Sequence, residues 1–314
     1  MKRLILPYLT LILVLLTGCN HKDLCFDHTH NVETRVVFDW SNAPDANPES
    51  MELCMYPLSA SNHLSYNIPG REGGVIEIPF DSYNAICVNN DDVDWALYRN
   101  TNDVNDFEVY THDASELGAY QLLTSSLPRA DGTEDERMAV TPGMAWSSRS
   151  DNISVLKDED NVITLYPEEI VCHYSVEIQD VGNISSAQGE TIDGTLSGMA
   201  DGYHHGSRQS SDTPVTMPFI LSVDKDDATL TGEFLTFGEC NSLKTHHTLT
   251  VYLFLTDGSK WYYTFNVDDQ VSKAPDPKHV HIVVSGLNLP KAMTSGGLLP
   301  EVNDWQTEIV DLKM

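Results

Sequence analysis

The chain has 314 residues, with 47 acidic against 18 basic side chains and a formal charge of −29. So acidic a surface repels phosphate backbones, which excludes nucleic acid as a partner. A hydrophobic content of 41% is enough to fill globular cores, and the length suits two domains of about 150 residues each better than one.

Met1, Lys2 and Arg3 form a positive start, and Leu4 to Leu16 form an apolar run too short to cross a bilayer as a stable helix. Residues 1–18 therefore read as a removable secretion signal. The run ends in Leu16-Thr17-Gly18-Cys19, which resembles the bacterial lipobox, where small residues fit the signal peptidase and the cysteine thiol accepts a diacylglycerol. Cleavage before Cys19 is expected, with lipid on Cys19 holding residues 19–314 to a membrane. Each buried methylene contributes about 0.8 kcal/mol, so two or three acyl chains make the attachment nearly irreversible. Loss of Lys2 and Arg3 makes the mature chain two charges more negative.

Residues 19–32 are polar and without periodicity, as suits a tether. Strand-like alternation begins at once after them. Val36, Phe38 and Trp40 share one face while Arg35 and Asp39 share the other, and Leu53 and Met55 follow the same rule. Further short runs occur at 75–80, 83–88, 107–110 and 162–166, separated by turn-rich stretches such as 67–74. Residues 127–151, with Pro128, Gly132 and Pro142-Gly143, read as a long loop inside the first domain. The best helical pattern, 114–125, is short and weak.

The second half alternates more cleanly. Ile170, Cys172, Tyr174, Val176 and Ile178 point one way, and similar ladders run from Val215 to Val223, Leu249 to Leu255, Trp261 to Val267 and Val280 to Val284. Asp257-Gly258 sits between two of these ladders as a hairpin turn. The pattern predicts an all-β protein of two tandem antiparallel β-sandwich domains, an N-terminal one over 33–167 and a C-terminal one over 168–314, in preference to a single barrel.

After Cys19, cysteines remain at 25, 54, 87, 172 and 240, an odd and scattered set that is not a disulfide framework. The disulfide state of Cys54, Cys87, Cys172 and Cys240 stays open; a Cys54–Cys87 bridge is conceivable, but both lie in apolar runs where cysteine acts as a small buried hydrophobe.

The acidic stretches Asn89–Asp94 and Asp224–Asp227 do not match a calcium loop and read as turns. Cys25, His28 and His30, with His21 as a fourth ligand, could reach one zinc, yet such clusters also arise by chance in polar tails. His279 and His281 project from the face opposite Val280, while His204-His205 and His246-His247 place neighbours on opposite faces, a poor chelating geometry. No metal or cofactor is expected. HExxH, G-x-S-x-G and P-loop patterns are absent, and Gly194-Thr-Leu-Ser197-Gly198 sets its serine one position too late for a nucleophile elbow, so no enzyme is expected. Trp95, Tyr98, Trp146, Trp261 and Tyr262 could instead stack on sugar rings, with Tyr262, out of phase with its neighbours, as the best exposed ring.

The lipobox, together with the stretches 21–30 (HKDLCFDHTH), 38–51 (FDWSNAPDANPESM), 88–92 (VNNDD), 129–138 (RADGTEDERM), 196–200 (LSGMA) and 256–271 (TDGSKWYYTFNVDDQV), resembles a family of Bacteroidales lipoproteins related to FimB-type fimbrial anchors and the fimbrillin superfamily. The resemblance spans the mature chain. It implies two transthyretin-like sandwiches of fimbrillin type, membrane attachment through Cys19, and association with other fimbrial subunits by strand exchange. Asn20 stands where an aspartate would signal inner-membrane retention, so the outer membrane is expected, with the protein at the cell surface. Residues 296–314, with Gly296-Gly297, Trp305, Val310 and Leu312, would supply a donated strand or else form the last strand of the second domain. Stalk subunits of the superfamily lose their first strand to a protease that cuts after arginine; Arg35 stands at such a place but also reads as an ordinary outward strand residue. The function implied is a lipid-anchored accessory or anchor subunit of a fimbria-like structure; the alternative is a surface glycan-binding lipoprotein.

Overall fold

A computed structural model describes residues 30–91, 94–115, 127–157, 159–242, 246–291 and 305–309. The first half supplies β1 (Asn31–Phe38), β2 (Ser50–Pro57), β3 (Leu64–Pro69), β4 (Gly73–Pro79), β5 (Asp81–Asn89), β6 (Ala96–Arg99), β7 (Glu108–Thr111), a two-residue β8 (Arg137–Met138), β9 (Trp146–Val155), β10 (Asn161–Leu165) and β11 (Glu168–Glu169). The second half supplies β12 (Cys172–Gln179), β13 (Thr191–Ala200), β14 (Gly202–His204), β15 (Gln209–Ser210), β16 (Pro214–Asp224), β17 (Thr229–Thr236), β18 (Thr248–Phe254), β19 (Lys260–Asn266), a short helix α1 (Asp268–Ser272), β20 (His279–Ser285) and β21 (Gln306–Ile309).

In the first half, a three-stranded sheet ordered β10-β1-β4 packs on a five-stranded sheet ordered β11-β9-β5-β2-β3. Alternation on β1 buries Val36 and Phe38, which meet Met51, Leu53 and Met55 of β2 and Tyr83, Ala85 and Cys87 of β5 in one core. The run Leu53-Cys54-Met55-Tyr56 breaks alternation because β2 is buried on both faces. Cys54, Tyr56, Ile86 and Val88 form a second cluster with Val104 and Phe107 from the β6–β7 hairpin. Burial on both faces is what a continuous apolar strand signals.

The second half is one nine-stranded sheet, ordered β20-β12-β17-β16-β13-β18-β19-β21 with β8 added beside β16. Its inward residues form a single core that joins Tyr174, Val176, Ile282 and Phe234 to Leu196, Met217, Val251 and Phe265. The two halves repeat one topology. The order β9-β5-β2-β3 recurs as β19-β18-β13-β16, and β10-β1-β4 recurs as β20-β12-β17. In each half the first strand lies parallel to a late one, β1 to β10 and β12 to β20. The second half fuses its two layers because β16 continues into pairing with β17 at Ser222–Asp224.

The protein is therefore two tandem β-sandwiches, as the period-two pattern predicts, with three departures from the sequence reading. The sheets are not purely antiparallel: besides the two pairs above, β8 lies parallel to β16 and β21 to β19. Parallel neighbours need long crossovers, and here nearly a whole sandwich intervenes between β1 and β10. Residues 127–151 are not all loop, since Trp146 begins β9 and β8 adds to the second half's sheet. Hydroxyl-rich β9 carries little alternation because Ser147 and Ser148 are buried against polar partners. Residues 67–69, expected in a turn, close β3, and the turn itself is at Gly70–Gly73. The weak helical pattern at 114–125 lies almost wholly outside the described residues.

A four-stranded sheet ordered β15-β14-β7-β6 takes two strands from each half and joins them. Beside it Trp95, Val109, Ile170, Tyr203 and Phe237 form a third core. Among the described residues no helix is long and apolar enough to cross a membrane.

Candidate subunit-binding site

At one edge of the second sandwich, β18 and β19 form the hairpin expected around Asp257-Gly258. Gly258 takes φ 84°, and the Asp257 carboxylate accepts from the Ser259 N–H at 3.0 Å. Along the free side of β19, β21 pairs in parallel, from Trp261 opposite Gln306 to Thr264 opposite Ile309. Just before β21, Trp305 lies edge-on to Tyr252 at 5.7 Å and to Phe254 at 5.4 Å, and the Lys260 ammonium sits 5.9 Å from the Trp305 ring centre. Tyr252 and Phe254 lie on the opposite face of the sheet, Tyr252 buried and Phe254 exposed, because Leu249, Val251, Leu253 and Leu255 take the core-facing positions of the same run. This edge can hold an extended segment by main-chain hydrogen bonds and register it with one aromatic side chain. Of the two readings of residues 296–314, the four residues of β21 are docked as a last strand; Val310 and Leu312 lie outside the described residues.

A second place where one strand closes a sheet is β1, which joins β4 to β10. Val36 and Phe38 are buried, whereas Arg35 is exposed between Val75 and Val162, in the outward position the alternation assigns it. Gly73 takes φ 100°, and a Cβ there would stand 2.1 Å from the Val36 carbonyl oxygen, so the β1–β4 contact requires glycine.

The other sequence candidates scatter. Cys19, His21, Cys25 and His28 lie outside the described residues. His30 is described, and its ring stacks on Phe80 at 6.4 Å. His279 stacks on His173 at 5.1 Å and pairs with Asp276 at 3.0 Å, while His281 meets Ser175 at 2.8 Å on the same exposed face. The Asp224 carboxylate accepts from the N–H groups of Asp226 and Asp227, the ordinary use of an acidic turn. The five proposed sugar-stacking rings do not converge: Trp95 and Tyr98 are in the joint, Trp146 packs on the first core, Trp261 packs on the second, and Tyr262 is half-buried and stacked on Tyr252 at 6.3 Å.

Cys54, Cys87 and Cys172 are buried free thiols, and Cys240 is buried as well. Cys54 stands beside Ile86 and Cys87 beside Leu53, so the first two thiols point to opposite faces of the sheet and cannot bridge. Burial pushes both of them up to about 12.

The fold does bring Ser197, His247 and Asp268 together, a grouping that no sequence motif announces. Their bonding is structural. The Ser197 hydroxyl donates to the His246 carbonyl and accepts from the Thr248 N–H, the His247 ring meets the Ser197 carbonyl at 3.2 Å, and Asp268 accepts from the His247 N–H. A nucleophile would need its hydroxyl, not its carbonyl, on the imidazole.

The sequence matches a family described as a domain of unknown function, DUF5119, over residues 18–220. The chain belongs to the DUF5119 family. No curated protein matches it. Among solved structures, this DUF5119 chain is similar to a candidate adhesin from Bacteroides ovatus, with a TM-score of 0.64 and 20% identity over 88% of this chain and 99% of that one. The likeness is one of fold. Further similar structures are the fimbrial anchor protein Mfa2 from Porphyromonas gingivalis (TM-score 0.47, 11% identity, 81% of this chain and 90% of that one) and the tip fimbrial protein Mfa3 from the same organism (0.35, 9%, 82% and 96%).

The matched region ends at Ile220, within β16, and so takes in the polar joint between the halves of this DUF5119 chain. There Arg99 makes a two-pronged contact with buried Glu108, at 2.5 and 2.6 Å, and reaches Asp201 at 3.5 Å; Asp201 in turn accepts from the Ser211 hydroxyl. His205, just past the end of β14, places Nδ1 2.8 Å from the Ser147 hydroxyl and packs on Phe107 at 4.8 Å. Burial, with neighbouring His204 adding to it, pushes His205 down to about 3. The one sequence signal for this joint is the charge of Glu108 inside the apolar run 107–110.

Proposed function

We propose that this chain is a lipid-anchored accessory or anchor subunit of a fimbria-like cell-surface structure, attached to the outer membrane through Cys19 and bound to other subunits by β-strand addition. The observation that carries the reading is the edge of β19, where a short parallel strand and the Trp305 side chain occupy a surface suited to an extended segment. An edge strand presents unpaired N–H and C=O groups, and a strand from a neighbouring subunit satisfies them while its alternate side chains fill the adjoining surface. The lipobox Leu16-Thr17-Gly18-Cys19 supports the anchor, and the fold shared with the Bacteroides ovatus candidate adhesin supports a surface role. In an anchor, β1 stays in place, because it links the tether to the first core through Val36 and Phe38.

Deleting the gene and imaging the cells tests the reading: filaments should be detached, altered in length or lost. Unchanged filament number, length and attachment would overturn it. Mass spectrometry of the mature N-terminus tests the anchor separately, with a diacylglycerol on Cys19 as the expected result.

A further inference from the structure

The described chain begins at one pole of the first sandwich. Asn31 pairs with Pro79 at the start of β1, and the His30 ring stacks on Phe80 with planes 20° apart. Phe80 leads into β5, whose first residue pairs with Val155 at the end of β9, while Pro57 at the end of β2 pairs with Tyr83. These registers bring Leu58, Phe80 and Leu156 to the same end of the sandwich. All three are exposed, at 58%, 44% and 46%, although each adjoins a strand whose inward residues are buried. The loops hold them in place: Leu58 donates its N–H to the Ser82 carbonyl, and Leu156 exchanges two hydrogen bonds with the Asn161 side chain.

We infer that this apolar pole, Leu58, Phe80 and Leu156, lies directly against the lipid surface, its side chains dipping into the boundary between headgroups and acyl chains. The inference rests on the anchoring reading above. What names the occupant is where the chain enters. The segment from Cys19 to His30 reaches at most about 40 Å even when fully extended, and it joins the sandwich beside Phe80, so lipid attached at Cys19 holds this pole near the bilayer. A surface held so close to a bilayer meets it at high effective concentration, and exposed leucine and phenylalanine are the side chains that enter such a boundary. Asp81, Glu159 and Asp160 outnumber Lys157 around the patch, so attraction to anionic headgroups does not drive the contact. The contact is apolar and insensitive to salt.

The test uses the mature chain, residues 19–314, with Cys25→Ser, coupled through the Cys19 thiol to a maleimide lipid in a phosphatidylcholine bilayer. Coupling supplies the tether whether or not the bacterium lipidates Cys19, so failure here is distinct from failure of the anchoring reading, which the mass of the native N-terminus decides. Neutron reflectometry should place protein density against the headgroups with no water layer between them, at low and at molar salt. In L58E/F80E/L156E a water layer should open beneath the protein, with an unchanged melting curve because the three side chains are exposed; Leu156→Glu alone serves if the triple variant does not fold. The same water layer under both proteins would overturn the inference. So would sedimentation showing that the uncoupled chain dimerises and the variant does not, since a second copy would then own the surface.

Discussion

His205 sets a pH dependence that can be worked from its surroundings. Its side chain is 2% exposed, Nδ1 faces the Ser147 hydroxyl, and Nε2 has no hydrogen-bond partner among the described residues. A proton on the ring would be buried without compensation, which is why the group is pushed from 6.5 down to about 3. The unfolded chain binds that proton below 6.5 and the folded chain does not, so the contribution to stability is complete above 6.5 and falls as pH drops from 6.5 toward 3. The slope approaches about 1.4 kcal/mol per pH unit, giving a loss of about 2 kcal/mol at about pH 5 relative to about pH 8. Many carboxylates titrate in the same range, so the assay compares the protein with His205→Asn in urea unfolding at about pH 8, 6.5 and 5. Asparagine keeps a polar atom near Ser147 and carries no titrating ring. The variant is less stable at the alkaline end, and the gap should narrow by about 2 kcal/mol at the acid end. A gap constant to within about 0.5 kcal/mol would refute the argument.

Arg99→Met leaves buried Glu108 without its guanidinium and Asp201 with only Arg137, at 3.9 Å, and should cost about 2–3 kcal/mol, at the low end for a buried pair because Arg99 is 38% exposed. R99M/E108L should recover part of that loss in urea unfolding, and simple additivity would show that the pair is not coupled. Gly73→Ala places a methyl group against the Val36 carbonyl at a positive φ and should lower stability by at least about 2 kcal/mol, read as a drop in Tm. Cys54 and Cys87 should resist a thiol reagent in the native chain and react as free thiols once it is denatured; recovery of a disulfide-linked 54–87 peptide would contradict the placement on opposite faces. Trp305→Ala should raise protease sensitivity near β21 while leaving stability within about 1 kcal/mol of wild type, and a large loss of stability would make β21 part of the core instead of a docked segment.

Much of the fold was legible where one face is buried and the other wet. Val36 and Phe38 against Arg35, and Tyr174 and Val176 against Ser175 and Glu177, alternate because each strand has a single core to face. The signal failed where strands have two buried faces or polar partners. β9 reads as loop because Ser147 and Ser148 are buried by hydrogen bonds instead of by apolar contact, and β13 loses its alternation at a bulge between Leu196 and Met199, where Gly198 takes φ 76°. The candidate site was half visible: Trp305 and the Asp257-Gly258 hairpin stand out in the sequence, whereas the rings that receive Trp305 are set by a register between strands.

The sequence alone determined the secretion signal reading, the acidic surface, the all-β class and the inward side of most strands, because each depends on local composition or on a period of two. Tertiary structure decided which strands are neighbours, and with that the parallel closure of each sandwich, the joint sheet built from both halves and the docking of β21. Those pairings join residues far apart in the chain, such as Val36 with Ile163 and His205 with Ser147, and no local pattern encodes a contact whose partner lies on the other side of a domain.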